Sequence, residues 1–250
     1  MKPARQRSDR LSTTVYNYQE NIMTNQTNNI NNTNHINNTN HINHINQTNH
    51  TNHTNHINHI NKTAIITGAS RGIGAAIAKK LASCGYNLSL CCRNSSDRLK
   101  ALADELHCAY GIEVLCYTGN VGDFFFAKDM VANTISHFGH IDVLINNAGI
   151  SHIGLLSDMT PEEWNNIVAI NLTGVFNFTK LVIPYMVADK CGRILQISSV
   201  WGNVGASCEV AYSACKGGIN AFTKALGKEL APSHIPVNAI ACGVIDTDMN

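Results

Sequence analysis

Short apolar segments alternate with longer amphipathic segments from Asn61 to the end of the chain. Runs of this length, flanked by turn residues, favour strands that are buried on both faces. We predict strands over residues 62–67, 87–92, 113–117, 141–146, 193–197 and 236–240. We predict helices over residues 73–83, 96–109, 123–138, 161–187 and 210–230. Strict alternation of the two predicts an α/β fold, a doubly wound parallel sheet with helices on both faces.

The first part of the chain lacks this pattern. Residues 21–61 consist almost wholly of Asn, Thr, His and Ile, in drifting triplets such as Thr51-Asn52-His53. The scattered Ile residues have no larger apolar partners, so the entropy lost on ordering this stretch is not compensated. We therefore predict a disordered low-complexity tail over residues 1–61 and a folded domain over residues 62–250. No metal site is predicted in the tail, because its histidines have no Cys or acidic partner and no fixed geometry.

Composition and charge narrow the function classes. The net charge is only +1, which gives no electrostatic reason to expect nucleic acid or an anionic membrane as a partner. The chain has nine cysteines, an odd number without a C-x-x-C pair, which is typical of a reduced, cytoplasmic protein. No run of eighteen apolar residues suggests a membrane span.

A glycine-rich segment follows the first predicted strand and opens the first predicted helix. It reads Thr67-Gly68-Ala69-Ser70-Arg71-Gly72-Ile73-Gly74. Gly68 permits a tight turn, Gly72 lets the backbone approach a pyrophosphate, and Gly74 allows close packing of helix and strand. Glycine-rich turns also form ordinary strand-to-helix corners. The position within a strand–helix–strand unit favours nucleotide binding, with the phosphates at the helix N-terminus.

The end of the second predicted strand bears on the choice of nucleotide. NAD sites usually carry an acidic residue there, whereas this strand ends in Cys92-Arg93 and the nearest acid, Asp97, comes four residues later. Arg71 lies in the glycine-rich segment itself. Two guanidinium groups suit a 2′-phosphate, so we expect NADP(H) as the cofactor. Considered alone, Arg93 is also compatible with a solvated charge at a strand end.

Tyr212 and Lys216 are four residues apart in the last predicted helix, so they lie on the same face. An ammonium group near a phenol favours the phenolate, and we expect it to lower the pKa of Tyr212 toward neutrality and make this residue a usable general acid. A Tyr and a Lys at this spacing are more often a simple surface pair. Ser199 and the upstream nucleotide segment favour the catalytic interpretation.

The glycine-rich segment, Asn146-Asn147-Ala148-Gly149, Ser199 and Tyr212-Ser213-Ala214-Cys215-Lys216 follow one another in an order that resembles the short-chain dehydrogenase/reductase family. The resemblance covers essentially all of residues 62–250. It implies an NADP(H)-dependent oxidoreductase that reduces a carbonyl to an alcohol.

The resemblance also implies a role for each matching residue. Tyr212 would protonate the substrate oxygen, Ser199 would hydrogen-bond it, and Lys216 would bind the nicotinamide ribose. Asn171 would hold a water molecule of the proton relay. Cofactor contacts are implied for Gly68, Ser70, Arg71, Gly72, Ile73, Gly74, Arg93, Asn120, Val121, Asn147, Ala148, Gly149, Tyr212, Lys216, Gly243, Ile245 and Thr247.

The C-terminal segment departs from the family pattern. Cys242-Gly243 stands where the family has Pro-Gly, which should loosen this loop slightly. The family continues past the position of Asn250 with a seventh strand and substrate-covering helices. We therefore expect a C-terminally truncated domain with an unpaired sheet edge, exposed apolar surface and low stability. The family's homotetramer or dimer is correspondingly doubtful for this chain.

Several substrates remain open. The motifs are most similar to those of bacterial 3-oxoacyl-acyl-carrier-protein reductases of fatty acid biosynthesis, which implies a small-molecule or carrier-bound ketone as substrate. The segments 199–202 and 206–210 are also similar to those of the branch that reduces a 5-aminopentanone modification on elongation factor P. From a different class, a non-catalytic nucleotide-binding module or an inactive gene remnant fits the same sequence.

Overall fold

The structure, a computed structural model, describes residues 61–246. Nearly all of the predicted N-terminal tail and the predicted cofactor contact Thr247 lie outside these residues. In the described part, a single sheet of six parallel strands has the order β3-β2-β1-β4-β5-β6. The strands are β1 (Thr63–Thr67), β2 (Asn87–Cys92), β3 (Val114–Thr118), β4 (Val143–Asn146), β5 (Arg193–Ser199) and β6 (Val237–Cys242). The predicted doubly wound parallel sheet is confirmed.

Helices connect the strands and cover both faces of the sheet. They are α1 (Gly72–Ala82), α2 (Ser96–Tyr110), α3 (Phe124–Phe138), α4 (Pro161–Val168), α5 (Gly174–Asp189), α6 (Trp201–Val204) and α7 (Val210–Leu230). The predicted helix over residues 161–187 is interrupted, because Ala169–Thr173 forms a π-helical turn between α4 and α5. The short helix α6 was not predicted from the sequence.

The interrupted helix begins where the sequence indicates. The Thr160 hydroxyl accepts a hydrogen bond from the Glu163 backbone N–H at 3.2 Å. The Glu163 carboxylate accepts one from the Thr160 backbone N–H at 2.8 Å. This capping box, with Pro161 at the first helical position, satisfies two of the N–H groups that a helix start leaves unpaired.

The hydrophobic core lies in two layers, one on each face of the sheet. All residues of β1 and β2 are buried, as expected for strands covered on both faces. On one face, Phe178, Val182 and Met186 of α5 pack with residues of α3 and α7. On the other face, α1 and α2 pack against the same central strands through residues such as Leu99.

The helical stretch Pro161–Asp189, which includes the π-helical turn, is long and apolar enough to cross a membrane by length and composition alone. Half of its most apolar window is buried inside the fold, however. Fully buried side chains such as Phe178 and Met186 belong to this stretch. A core helix of this kind meets the same criterion, since burial in a fold also requires an apolar surface.

Candidate active site

A cavity of about 740 Å³ opens at the carboxyl ends of the parallel strands. This volume falls within the range of about 300–1,000 Å³ that is usual for ligand sites, and ligands of open parallel sheets bind at this edge. Most of the predicted site residues line it, namely Gly68, Ser70, Arg71, Gly72, Ile73, Arg93, Asn120, Val121, Asn147, Ala148, Gly149, Ser199, Tyr212, Lys216, Gly243 and Ile245. Gly74 and Asn171 do not line the cavity, and both are buried behind its wall.

The loop between β1 and α1 has a backbone that only glycine accommodates well. Gly68 has a φ of +65°, in the left-handed region, and a Cβ there would lie 2.8 Å from the Ala148 Cα. A Cβ on Gly74 would collide with the Gly68 carbonyl oxygen and lie 2.6 Å from the Asn147 side-chain nitrogen. Gly74 therefore lets the loop pack against Asn147 at the end of β4, in addition to letting α1 pack against β1.

Asn147 holds this loop in place. Its side-chain amide donates hydrogen bonds to the carbonyl oxygens of Thr67 and Gly68, both at 3.0 Å. The backbone N–H groups of Asn147 and Ala148 both donate to the Thr67 hydroxyl, again at 3.0 Å. These four bonds join the ends of β1 and β4, so the side chain of Asn147 shapes the loop even though the residue also lines the cavity.

The N-terminus of α1 faces the same end of the cavity. Arg71 is the N-cap residue with extended backbone, and no side chain caps the helix start. N–H groups at a helix start carry partial positive charge and bind anions. Arg71 and Arg93 are both exposed and both line this end, which makes it the cationic end of the cavity.

Tyr212 lies in the first turn of α7 and is partly buried. Its hydroxyl faces the side chain of Ser199, the last residue of β5, closely enough for Ser199 to affect its pKa. Ser199 is 7% exposed, and its hydroxyl accepts a hydrogen bond from the Trp201 N–H at 3.2 Å. Burial raises the pKa of Tyr212, the nearby Ser199 side chain opposes that rise, and the nearby charge of Glu209 adds to it.

Lys216 is buried one helical turn beyond Tyr212, with 4% of its surface exposed. Its ammonium donates to the Ile197 carbonyl oxygen at 2.7 Å and lies 5.4 Å from the centre of the Tyr212 ring. Burial lowers the pKa of Lys216 to about 8. The expected lowering of the Tyr212 pKa by Lys216 is wrong for this arrangement, because the ammonium is directed at a backbone carbonyl and the ring face while burial raises the pKa of the phenol.

Asn171 is fully buried within the π-helical turn. Its side-chain oxygen accepts a hydrogen bond from the Ile150 N–H at 2.9 Å, and its side-chain nitrogen donates to the Ile150 carbonyl at 2.8 Å. The residue thus fixes the loop after β4, directly behind Gly149. A π-helical turn of this kind often marks a functional site. The predicted role of Asn171 in holding a water molecule stays a prediction.

These residues and their order agree with a family-wide sequence pattern. The sequence model of the short chain dehydrogenase family matches residues 62–250. The chain belongs to this family.

Individual relatives make the comparison more specific. The chain is 41% identical over 188 residues to the 3-oxoacyl-acyl-carrier-protein reductase of Staphylococcus aureus. The aligned region covers 75% of this chain and 76% of that protein. A metagenomic short-chain oxidoreductase in complex with NADP superposes with a TM-score of 0.70 at 34% identity, over 73% of this chain and 82% of that one. A variant of the actinorhodin polyketide ketoreductase with NADPH gives a TM-score of 0.72 at 38% identity, over 76% and 72%.

The C-terminal boundary of the cavity in this short-chain dehydrogenase is formed by the segment after β6. The Val200 N–H donates to the Cys242 carbonyl oxygen at 2.8 Å, which ties this segment to the end of β5. Gly243 and Ile245 line the cavity. Among the described strands β6 pairs only with β5, and Ile240 is 50% exposed.

Several polar residues of the cavity, among them Ser151 and Glu209, were not predicted from the sequence. Glu209 and Ser151 both line it, and the Ser151 hydroxyl donates to the Glu209 carboxylate at 2.8 Å. Both lie in loops, without a motif or a periodic pattern that would single them out. The signals in the sequence were that Glu209 stands three residues before Tyr212 and that it lies within residues 206–210, the segment compared with the aminopentanone reductase branch.

Proposed function

We propose that this short-chain dehydrogenase is an NADPH-dependent oxidoreductase that reduces a carbonyl group to an alcohol. The observation that carries this proposal is that Tyr212 and Ser199 lie together in one cavity with a glycine-rich loop at a helix N-terminus. A general acid and an anion-binding loop in one cavity fit a reaction between a carbonyl and a phosphate-bearing cofactor.

The residues at the cationic end fit an NADP-type cofactor. The Gly68 loop packs closely against Asn147 and Ala148 and leads into the N-terminus of α1, where a pyrophosphate would lie. Arg71 and Arg93 would hold the 2′-phosphate, because each guanidinium group can donate two parallel hydrogen bonds to phosphate oxygens. Two similar solved structures carry NADP or NADPH, which supports this choice. When bound, the reduced cofactor supplies the hydride.

The residues at the other end fit proton delivery to a carbonyl oxygen. A raised pKa keeps Tyr212 protonated at neutral pH, so its hydroxyl carries the proton that the oxygen needs. Ser199, which lines the same cavity beside Tyr212, would hydrogen-bond and orient that oxygen. Lys216, which lines the same cavity, would bind the nicotinamide ribose.

The first substrate class to consider is a 3-oxoacyl thioester, because a relative at 41% identity over 188 residues bears that activity in its name. An aminopentanone group on elongation factor P is a second candidate. One observation favours it: Glu209 is the only carboxylate among the described residues that line the cavity. We further expect the enzyme to be cytoplasmic.

The test is the initial rate of NADPH oxidation by the full chain with an acetoacetyl thioester, compared with NADH at equal concentration. We expect turnover with a strong preference for NADPH, since only that cofactor carries a 2′-phosphate for Arg71 and Arg93. Binding of NADPH without turnover on any ketone would instead favour the non-catalytic nucleotide-binding module. An NADH preference would contradict the assigned cofactor.

A further inference from the structure

Lys216 is held at both ends by strand β5. Its ammonium donates to the Ile197 carbonyl oxygen at 2.7 Å. Its own backbone carbonyl oxygen lies 3.3 Å from the Ser198 hydroxyl oxygen, within hydrogen-bond distance. These two partners are consecutive residues of β5, directly before Ser199. The position of Lys216 in the cavity therefore depends on how closely helix α7 lies against the end of this strand.

Helix α6 lies against α7 at the same residue. A Cβ on Gly202 would stand 2.6 Å from the Lys216 carbonyl carbon and 2.7 Å from its carbonyl oxygen. A side chain at this position would push the two helices apart, because the atoms that it meets belong to the backbone and cannot turn away. The backbone of α6 is thus in direct contact with the turn of α7 that carries Lys216.

One side chain connects α7 with both of these neighbours. Asn220, one helical turn after Lys216, accepts a hydrogen bond from the Ser198 hydroxyl at 2.6 Å, so the hydroxyl proton is shared between this amide and the Lys216 carbonyl. The Asn220 side-chain nitrogen donates to the side-chain oxygen of Asn203 on α6 at 2.8 Å. An amide can accept and donate at once, whereas an ionised carboxylate only accepts and an apolar side chain does neither.

A general contribution to folding does not account for this arrangement. Asn has a lower helix preference than Leu or Ala, and the later turns of α7 are anchored in the core by Leu226 and Leu230. Asn203 is exposed, so water would replace Asn220 as its partner at little cost. These observations indicate that the Asn220 amide fixes a spacing between elements more than it adds stability.

The spacing matters because Lys216 is an almost fully buried ammonium. Burial lowers its pKa to about 8, and the neighbouring Cys242 and Cys215 oppose that decrease. The Tyr212 ring lies 5.4 Å from the ammonium on the same helix. A small separation of α7 from β5 would admit water beside the ammonium and remove part of the effect of burial. The charge and the direction of the Lys216 side chain are therefore sensitive to the spacing at Asn220.

We propose that Asn220 is a positioning residue for Lys216, on which it acts through its hydrogen bonds to Ser198 of β5 and Asn203 of α6. The consequence for cofactor binding rests on the proposed function, in which Lys216 binds the nicotinamide ribose. The consequence for Lys216 itself is separate from turnover and can be measured without it.

The experiment measures the pKa of Lys216 and the affinity for NADPH in the same variants of the full chain. In Asn220→Leu the side chain keeps about the same size and gains helix preference, but it loses both hydrogen bonds. The matched control is Asn133→Leu, the same substitution at an exposed position of α3 outside the cavity. NMR titration with ¹³Cε-labelled lysine gives the pKa, with the Lys216 signal assigned from Lys216→Arg, and fluorescence titration gives the dissociation constant.

In wild type the Lys216 signal should titrate near pH 8. In Asn220→Leu we expect its pKa to rise toward the ordinary value of lysine, because water then reaches the ammonium. The dissociation constant for NADPH at pH 7 should rise roughly 3- to 10-fold, the size of effect expected for a lost hydrogen bond. Asn133→Leu should leave both quantities unchanged.

An unchanged Lys216 pKa in Asn220→Leu would overturn the proposal even if the variant unfolded at lower urea concentration, because the amide would then only support the fold. Equal shifts in Asn220→Leu and Asn133→Leu would overturn it as well. A raised pKa with unchanged NADPH affinity would uphold the positioning role and contradict the ribose contact of the proposed function.

A second variant covers the case that Asn220→Leu does not fold. Asn203→Ala removes the exposed partner on α6 and leaves the side chains of α7 and β5 in place. We expect a rise of the Lys216 pKa of the same sign and smaller size. Identical titration of Lys216 in this variant and in wild type would overturn the proposal. NADPH oxidation with an acetoacetyl thioester is followed separately: its absence in wild type would contradict the proposed function, whereas the titration decides the role of Asn220.

Discussion

The cofactor end and the substrate end of the cavity are built by different means. At the cofactor end the binding surface is formed mainly by the backbone. Two glycines, a helix N-terminus and the four hydrogen bonds around Asn147 fix the loop after a fully buried strand. At the substrate end, side chains of Ser199, Tyr212 and Glu209 make the contacts, and the neighbouring strand β6 is largely unburied. Binding a diphosphate needs a fixed backbone shape, whereas proton transfer and substrate choice need particular functional groups.

The largest expected effect concerns the chemistry of the substrate end. In Tyr212→Phe the ring remains but the transferable proton is lost, and general acid catalysis is worth about 10²- to 10⁴-fold in rate. We expect kcat for ketone reduction to fall by roughly that factor. The dissociation constant for NADPH, measured by fluorescence titration, should stay within about threefold of wild type, because the two ends act separately. An unchanged kcat would contradict the assignment of Tyr212 as the acid.

The next effect concerns the backbone of the cofactor end. In Gly74→Ala the added methyl group would collide with the Gly68 carbonyl and the Asn147 amide, so the loop has to move. We expect a loss of about 1–3 kcal/mol in the free energy of unfolding, measured by urea denaturation, together with weaker NADPH binding.

The matched control for that change is Gly227→Ala in α7. Its added methyl group would meet nothing closer than 3.6 Å, so the helix preference of Ala should stabilise the protein by up to about 1 kcal/mol. If the two variants behaved alike, the loop would be less rigid than its contacts indicate.

Much of the cofactor end could be predicted from the sequence, because backbone shape depends on glycines at fixed spacing after an apolar strand. The six strands and the long helices also follow from periodicity, within a few residues at their ends. The π-helical turn around Asn171 could not be predicted, since the apolar pattern runs through it without a break and the turn depends on packing against the loop after β4.

The substrate end was less accessible to sequence analysis. The spacing of Tyr212 and Lys216 gave their shared face, but not the burial that raises one pKa and lowers the other. Glu209 depends on the left-handed backbone of Cys208 and on a partner 58 residues away, and neither has a sequence pattern. Contacts between loops are decided by the tertiary fold and not by local propensity.

A smaller effect concerns the arginine side chains at the cofactor end, which would hold the 2′-phosphate. Arg93→Ala should raise KM for NADPH by roughly 10- to 100-fold, since a hydrogen bond to a charged group is worth about 1.5–3 kcal/mol. KM for NADH, which lacks the 2′-phosphate, should not change. Lys128→Ala on α3, outside the cavity, serves as the control. Equal changes for both cofactors would show that Arg93 only supports the loop.

The smallest expected effect is a shift in the pH profile at the substrate end. Reduction needs protonated Tyr212, so the rate falls as pH rises through its pKa, and Glu209 raises that pKa. In Glu209→Gln the pKa of Tyr212 falls, so the alkaline limb of kcat/KM for a neutral ketone should move to lower pH. A shift to higher pH would contradict the sign of this coupling.

The most direct test of the central claim follows the hydride itself. NADPH deuterated at the transferable position of the nicotinamide is incubated with the full chain and a 3-oxoacyl thioester in ordinary water, and the alcohol is examined by mass spectrometry and NMR. We expect one deuterium on the carbinol carbon, with the hydroxyl proton coming from Tyr212 and solvent. An alcohol without deuterium, or no alcohol while NADPH remains bound, would contradict carbonyl reduction at this site.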